Sequence, residues 1–159
     1  MSRDGLLRFN NRVIMSEEHF RRLENMYRAA PISNIYPPEI VISDAASEIQ
    51  FKVQPEYFHA AGAVHGSVVF KLLDDAAFFA ANSREETFFV LTTSFNIYLT
   101  RPVSSGIIRA VGKVVTQNRL QFLAESVAYD DQGREIGRGS GTFVTGKLPL
   151  AQALGYAED

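Results

Sequence analysis

The stretch Gly66–Ala81, GSVVFKLLDDAAFFAA, is apolar on nearly every face, yet it carries three ionisable side chains, Lys71, Asp74 and Asp75. Charged groups away from water are costly unless they are paired or put to use. On a helix Lys71 reaches Asp74 at i+3 or Asp75 at i+4, and the two aspartates point about 100° apart. Two readings stand. Either Lys71 pairs one aspartate while the other meets solvent or a partner subunit, or one carboxylate faces a cleft as a catalytic base. The turn ahead of this helix, Gly62-Ala63-Val64-His65-Gly66-Ser67, adds a second chemical feature. A glycine-bearing turn that feeds a helix leaves backbone N–H groups free at the positive end of the dipole, which can hold a developing oxyanion. A carboxylate about two turns further along serves a water or an acyl carbon held there if the substrate bridges the distance or a second subunit completes the site.

A helix that is hydrophobic all round must be enclosed. The rest of the chain supplies the enclosure. Phe89 to Thr100 alternates with period two and closes at Arg101-Pro102, two strands follow near Ile107–Val115 and Leu120–Tyr129, and Asp130-Asp131-Gln132-Gly133 turns into a last strand, Arg134–Thr145. Short connections make these last three antiparallel neighbours. Gly137, Gly139 and Gly141 share one face of the last strand, where another backbone can come close, and the buried helix is the expected partner. The same GRGSG run lacks the spacing and the following helix of a phosphate-binding loop. Upstream, Ser16 suits an N-cap, Glu17 and Glu18 suit the first turn, and Phe20, Leu23 and Tyr27 recur at helical spacing until Pro31. Ile40–Ser43 and Glu48–Val53 read as short strands. The expected class is α+β, one long helix gripped by a curved antiparallel sheet, with a leading N-terminal helix. The division is an extension at 1–45, a core at 46–147 and a tail at 148–159.

At 159 residues with 46% hydrophobic and 21% charged residues, the chain has the make-up of one globular domain. It contains no cysteine, which excludes a disulfide scaffold, thiolate metal sites and thiol nucleophiles, and fits a reducing, cytoplasmic setting. Sixteen Lys and Arg stand against 18 Asp and Glu, for a net charge of -2 with no basic run, so neither nucleic acid nor an anionic membrane is an expected partner. Met1–Met15 interleaves Arg3, Asp4, Arg8 and Arg12 with apolar residues, unlike a signal peptide, and no stretch is long and apolar enough to span a bilayer. His59, His65 and Asp74 are too irregularly spaced for a recognised metal site. No G-x-S-x-G is present, which argues against an α/β-hydrolase route to ester chemistry.

His65-Gly66-Ser67 followed by Leu72-Leu73-Asp74 resembles the H-G-G-x-x-x-x-L-x-D signature of hotdog-fold thioesterases of the phenylacetic-acid-degradation (PaaI-like) type. The resemblance extends through Asn82-Ser83, the strand TTSFNIYLTRP (92–102) and the closing GRGSGTF, covering roughly Glu48 to Val144. It implies a hotdog fold and hydrolysis of an acyl-CoA thioester. Asp74, at the matching position, would be the catalytic carboxylate that activates water or attacks the thioester carbonyl. The N–H of Gly66 would polarise that carbonyl, and His65 would shape the turn and hydrogen-bond near the catalytic site. Two positions depart from the family pattern. His59 stands where Asn or Gln is usual and either donates a hydrogen bond, adds an acid/base group, or is a loop residue without a role. Ser67 replaces the second glycine and narrows the approach to the substrate. The family's sites lie at a dimer interface to which the strand matching Thr92–Arg101 contributes, so Asn96 is a candidate substrate contact. Arg101 and Arg119 are either surface arginines or partners of the coenzyme A phosphates. Phe78, Phe79, Phe88 and Phe89 form either plain core or an acyl pocket. No cofactor is implied, since coenzyme A is part of the substrate, and a homodimer or dimer of dimers is expected. The rival reading is a hotdog protein that binds acyl-CoA without turnover. A hydratase on the same fold would need a paired Asp and His motif not found here.

Overall fold

The computed structural model describes residues 15–157; residues 1–14, on which most of the reading of the N-terminus rests, and 158–159 lie outside it. Helix α1 runs Glu17–Ala29. Ser16 caps it by accepting from the His19 N–H at 3.2 Å, and Pro31 opens a short 3-10 turn beyond it. Six strands follow: β1 Pro38–Ser43, β2 Ala46–Lys52, β3 Phe88–Leu99, β4 Ile107–Gln117, β5 Gln121–Tyr129 and β6 Glu135–Pro149. Between β2 and β3 lies helix α2, Gly66–Asn82. The strands form one antiparallel sheet in the order β1-β2-β4-β5-β6-β3, so the strand that follows α2 crosses to the far edge. Thus β1, inside the sequence-based extension, pairs with β2 from Pro38 to Ser43, and β6 runs two residues into the tail.

The sheet curves around α2, whose Leu72, Leu73, Ala76, Ala77, Ala80 and Ala81 are wholly buried. Small residues bring helix and sheet close. Ser47 and Ser126 donate from the sheet to the Ala76 and Leu73 carbonyls at 2.6 and 2.7 Å. A Cβ on Gly112 of β4 would lie 2.1 Å from the Ala76 carbonyl oxygen, a backbone atom that cannot step aside. Gly112→Ala is therefore expected to destabilise the chain by about 3 kcal/mol in a urea titration.

Two expectations are corrected. First, α2 is not enclosed all round: Ser67, Phe70, Lys71, Asp74, Asp75 and Phe78 form an i, i+3, i+4 stripe that stays exposed or half-buried. The sheet wraps only the opposite side, so the charged residues fall on the open stripe. Second, the close neighbour of Gly137, Gly139 and Gly141 is chiefly β3. A Cβ there would meet the Tyr98, Asn96 and Ser94 carbonyls at 2.9, 2.9 and 2.3 Å, and the Phe95 ring lies over Gly139 and Gly141. The glycines leave room for that ring between strand and helix.

The two sheet edges differ. At β1, α1 satisfies the free backbone groups: the Ile42 N–H donates to Glu24 at 2.8 Å, and Arg28 donates to the Ile40 carbonyl at 3.2 Å. At β3, Asn82 covers the start of the edge through the Val90 N–H and the Phe88 carbonyl, and Leu91–Leu99 has no comparable cover among the described residues. An uncovered edge of that length is a template for another strand.

His19 ties α1 to the end of α2 and to the C-terminal segment. Its Nε2 donates to the Asn82 carbonyl at 2.9 Å, so Nδ1 accepts from the Tyr156 hydroxyl at 2.8 Å. Burial holds the His19 imidazole below its ordinary pKa, against the raising influence of the Asn82 carbonyl, Glu86 and Glu85. The unfolded chain therefore binds a proton that the folded chain resists, and this contribution to stability is lost as pH falls below about 6.5. The urea midpoint of the wild type should drop between pH 7 and 5 more steeply than that of His19→Gln.

Candidate active site

The two aspartates of α2 have separate surroundings. Asp75 forms an ion pair with Lys71 and accepts from the Tyr27 hydroxyl of α1 at 2.5 Å, while Lys71 also donates to the Tyr27 oxygen at 3.3 Å. The Lys71 ammonium lies over the rings of Tyr27, Tyr36 and Phe51 at 5.0, 5.6 and 5.6 Å. Burial, with the Asp75 and Asp74 carboxylates beside it, pushes the Tyr27 hydroxyl far up, so it stays protonated and donates. Asp74 has no cation on it. It accepts from the Thr92 hydroxyl of β3 at 3.1 Å and looks into an open groove of about 450 Å3. Burial first, and the neighbouring Asp75 charge second, push its pKa up to about 6, against the Thr92 hydrogen bond and Lys71. Such a carboxylate is ionised at neutrality yet takes a proton readily, as general-base work requires. Thr92 and Tyr27 escape the sequence reading because each reaches Asp74 or Asp75 from a distant element.

The turn before α2 is built around His65, the helix N-cap. Its Nδ1 accepts from the Ser67 N–H at 3.1 Å and meets the Ser67 hydroxyl at 2.8 Å, while its carbonyl accepts from the Val68 N–H at 3.0 Å. These bonds use the N–H groups of Ser67 and Val68. The Gly66 N–H finds no acceptor among the described residues. Gly66 lines a hollow of about 370 Å3 together with His59 and Arg101. His59 Nδ1 accepts from the Ala61 N–H at 3.1 Å, so a neutral His59 carries its proton on Nε2.

Gly66 and Asp74 are eight residues apart on one helix, about 12 Å along its axis, and they open into different hollows. One chain thus presents two separate hollows. Asn96 lies in a third, smaller hollow with Tyr98, Glu125 and Arg138, and Arg119 is exposed between β4 and β5, lining none of these hollows. Of the four phenylalanines, Phe78, Phe79 and Phe89 line the Asp74 groove; Phe88 does not. No three His, Asp or Glu side chains among the described residues converge to hold a metal ion.

The model of the thioesterase superfamily matches residues 61–136, a segment that holds the turn, Gly66 and Asp74. In that segment, just under half of the chain, the protein is similar to the thioesterase superfamily. Solved structures share the hotdog fold of this chain. The Escherichia coli PaaI protein from the phenylacetic acid degradation operon superposes with a TM-score of 0.77 at 16% identity, over 85% of this chain and 98% of that one. A Shewanella oneidensis protein related to the thioesterase superfamily gives 0.73 at 19% identity, over 81% and 96%. AziG of S. sahachiroi gives 0.70 at 18% identity, over 76% and 100%. No curated protein matches the sequence significantly. Among the described residues, no helix is long and apolar enough to cross a membrane.

Proposed function

We propose that the protein is an acyl-CoA thioesterase. Asp74 takes a proton from water as the water oxygen adds to the thioester carbonyl. The C–S bond of the tetrahedral intermediate then breaks, and Asp74 returns its proton to the departing sulfur, giving a carboxylic acid and coenzyme A thiol. The observation that carries this reading is the Asp74 carboxylate, with its pKa pushed up to about 6, at the polar end of an apolar groove. The Gly66 N–H polarises the carbonyl. Because Gly66 and Asp74 open into different hollows, the working site takes one half from each of two chains, joined along the open edge of β3. A homodimer, or a dimer of dimers, is part of the proposal.

In this arrangement His59 presents an Nε2–H beside Gly66, where it assists the carbonyl or the water, and His65 with Ser67 holds the turn so that the Gly66 N–H stays free. The Ser67 departure thus serves the turn. Arg101, in the same hollow, suits a coenzyme A phosphate, and Arg119 and Asn96 reach substrate only through a partner chain. No cofactor is required. A cytoplasmic location fits the substrate and the cysteine-free sequence.

The test is incubation with acyl-CoAs of graded chain length and with aromatic acyl-CoAs, following free thiol release, to which this chain contributes no background. Thiol release that depends on acyl structure supports the proposal. Intact thioester across the panel, with tight stoichiometric binding, would instead establish an acyl-CoA-binding protein.

A further inference from the structure

The groove at Asp74 is shared between the segment similar to the thioesterase superfamily and the chain ahead of it. One wall is α2 with Phe70 and Phe78, and the opposite wall comes from α1 and the turn after it, through Met26, Ala30 and Ile32. That second wall lies outside residues 61–136. Apart from Asp74 and Thr92, the polar side chains that line the groove are engaged with one another across the two walls: the Tyr27 hydroxyl of α1 donates to Asp75 of α2, and Lys71 of α2 donates to both. Away from Asp74 and Thr92 the groove therefore offers a substrate tail hydrocarbon contacts and no unengaged charge. A hydroxyl or carboxylate on that tail would lose its water and gain no partner. The groove, about 450 Å3, is far larger than an acetyl group fills.

We infer that this groove selects an unsubstituted medium-length hydrocarbon acyl group, and that the N-terminal wall, at Ala30 and Ile32, sets the selection. The inference rests on the acyl-CoA reading of the site. Ala30 is half-buried at the end of α1 and Ile32 is 47% exposed, so both accept substitution with little disturbance of the core. Ala30→Phe places a ring in the groove, and Ile32→Asp places a charge at its mouth.

The test uses hydrolysis-resistant thioethers, S-ethyl-CoA and S-decyl-CoA, with the full-length protein, so that binding is read apart from turnover. Wild type is expected to bind S-decyl-CoA at least tenfold more tightly than S-ethyl-CoA. Each variant should reduce that ratio at least fivefold, with unfolding midpoints confirming that it is folded. A decyl analogue ending in a carboxylate should bind the wild type no better than the ethyl one. A wild-type preference that survives both variants unchanged, or no preference at all, would overturn the inference. Failure of thiol release with the decyl preference intact would overturn the enzyme reading alone.

Discussion

Asp74→Asn is expected to lower kcat by a hundredfold or more while leaving a folded, slightly more stable protein. The loss follows from the loss of the base: an amide accepts the Thr92 hydrogen bond as the carboxylate does, but takes no proton from water. The gain in stability follows from the sign of the shift. Burial and Asp75 raise the Asp74 pKa from 3.8 to about 6, so between these values the folded chain binds more protons than the unfolded chain. The stability contribution of the group is greatest below pH 4, declines as pH rises through 6, and is a net penalty at pH 7. Removing the charge relieves that penalty, by about 1–2 kcal/mol once solvent screening of a half-buried group is counted. The same value fixes the wild-type profile: kcat/KM should rise with pH, reach half its plateau near pH 6 and fall to about a tenth of it near pH 5. Steady-state kinetics and urea unfolding on both proteins check the pair of outcomes. Full turnover by Asp74→Asn would remove Asp74 from the reaction. Asp75→Asn serves as the comparison, since it loosens Lys71 and Tyr27 and should act on stability more than on kcat.

That opposition between neighbouring aspartates shows what the sequence holds and what it withholds. Helical spacing says that Asp74 and Asp75 diverge and that Lys71 reaches one of them. Which one it takes is settled by Tyr27, forty-eight residues from Asp75, and no local pattern records that contact. The order of elements was legible for the same reason that the spacing was: caps, prolines and alternation act over a few residues. Pairing acts over many. The glycine row of β6 correctly announced a close approach, but the neighbour is β3 with the Phe95 ring, whereas the helix comes closest at Gly112, a glycine that alternation alone does not single out. The open stripe on α2 is a similar case, because total apolar content overstated how much of the helix the sheet covers. Departures from the family signature gained a physical account only from coordinates: Ser67 engages the His65 ring, and His59 has its Nδ1 engaged by the Ala61 N–H.

The Gly66 N–H can be tested by deleting it without unmaking the helix. Gly66 is the first residue of α2, where proline is well tolerated, since its fixed φ suits the first turn and an N–H there has no intrahelical acceptor. The preceding residue, His65, already sits at φ -62° and ψ 141°, the extended conformation that a following proline demands. A new Cβ at position 66 would come within 2.8 Å of Leu99 Cδ1, the tip of a side chain that is 52% exposed and free to turn away. Gly66→Pro should therefore fold with an unfolding free energy within about 1 kcal/mol of wild type, yet lose roughly 100- to 1,000-fold in kcat, the effect of removing one oxyanion donor. Gly66→Ala introduces the same Cβ and keeps the N–H, so its kcat should stay within about tenfold of wild type. The contrast between the two variants is the result that matters. Equal losses would assign the effect to crowding against Leu99, and an active proline variant would move the oxyanion donor elsewhere, with the Nε2–H of His59 the group in the same hollow placed to take that role.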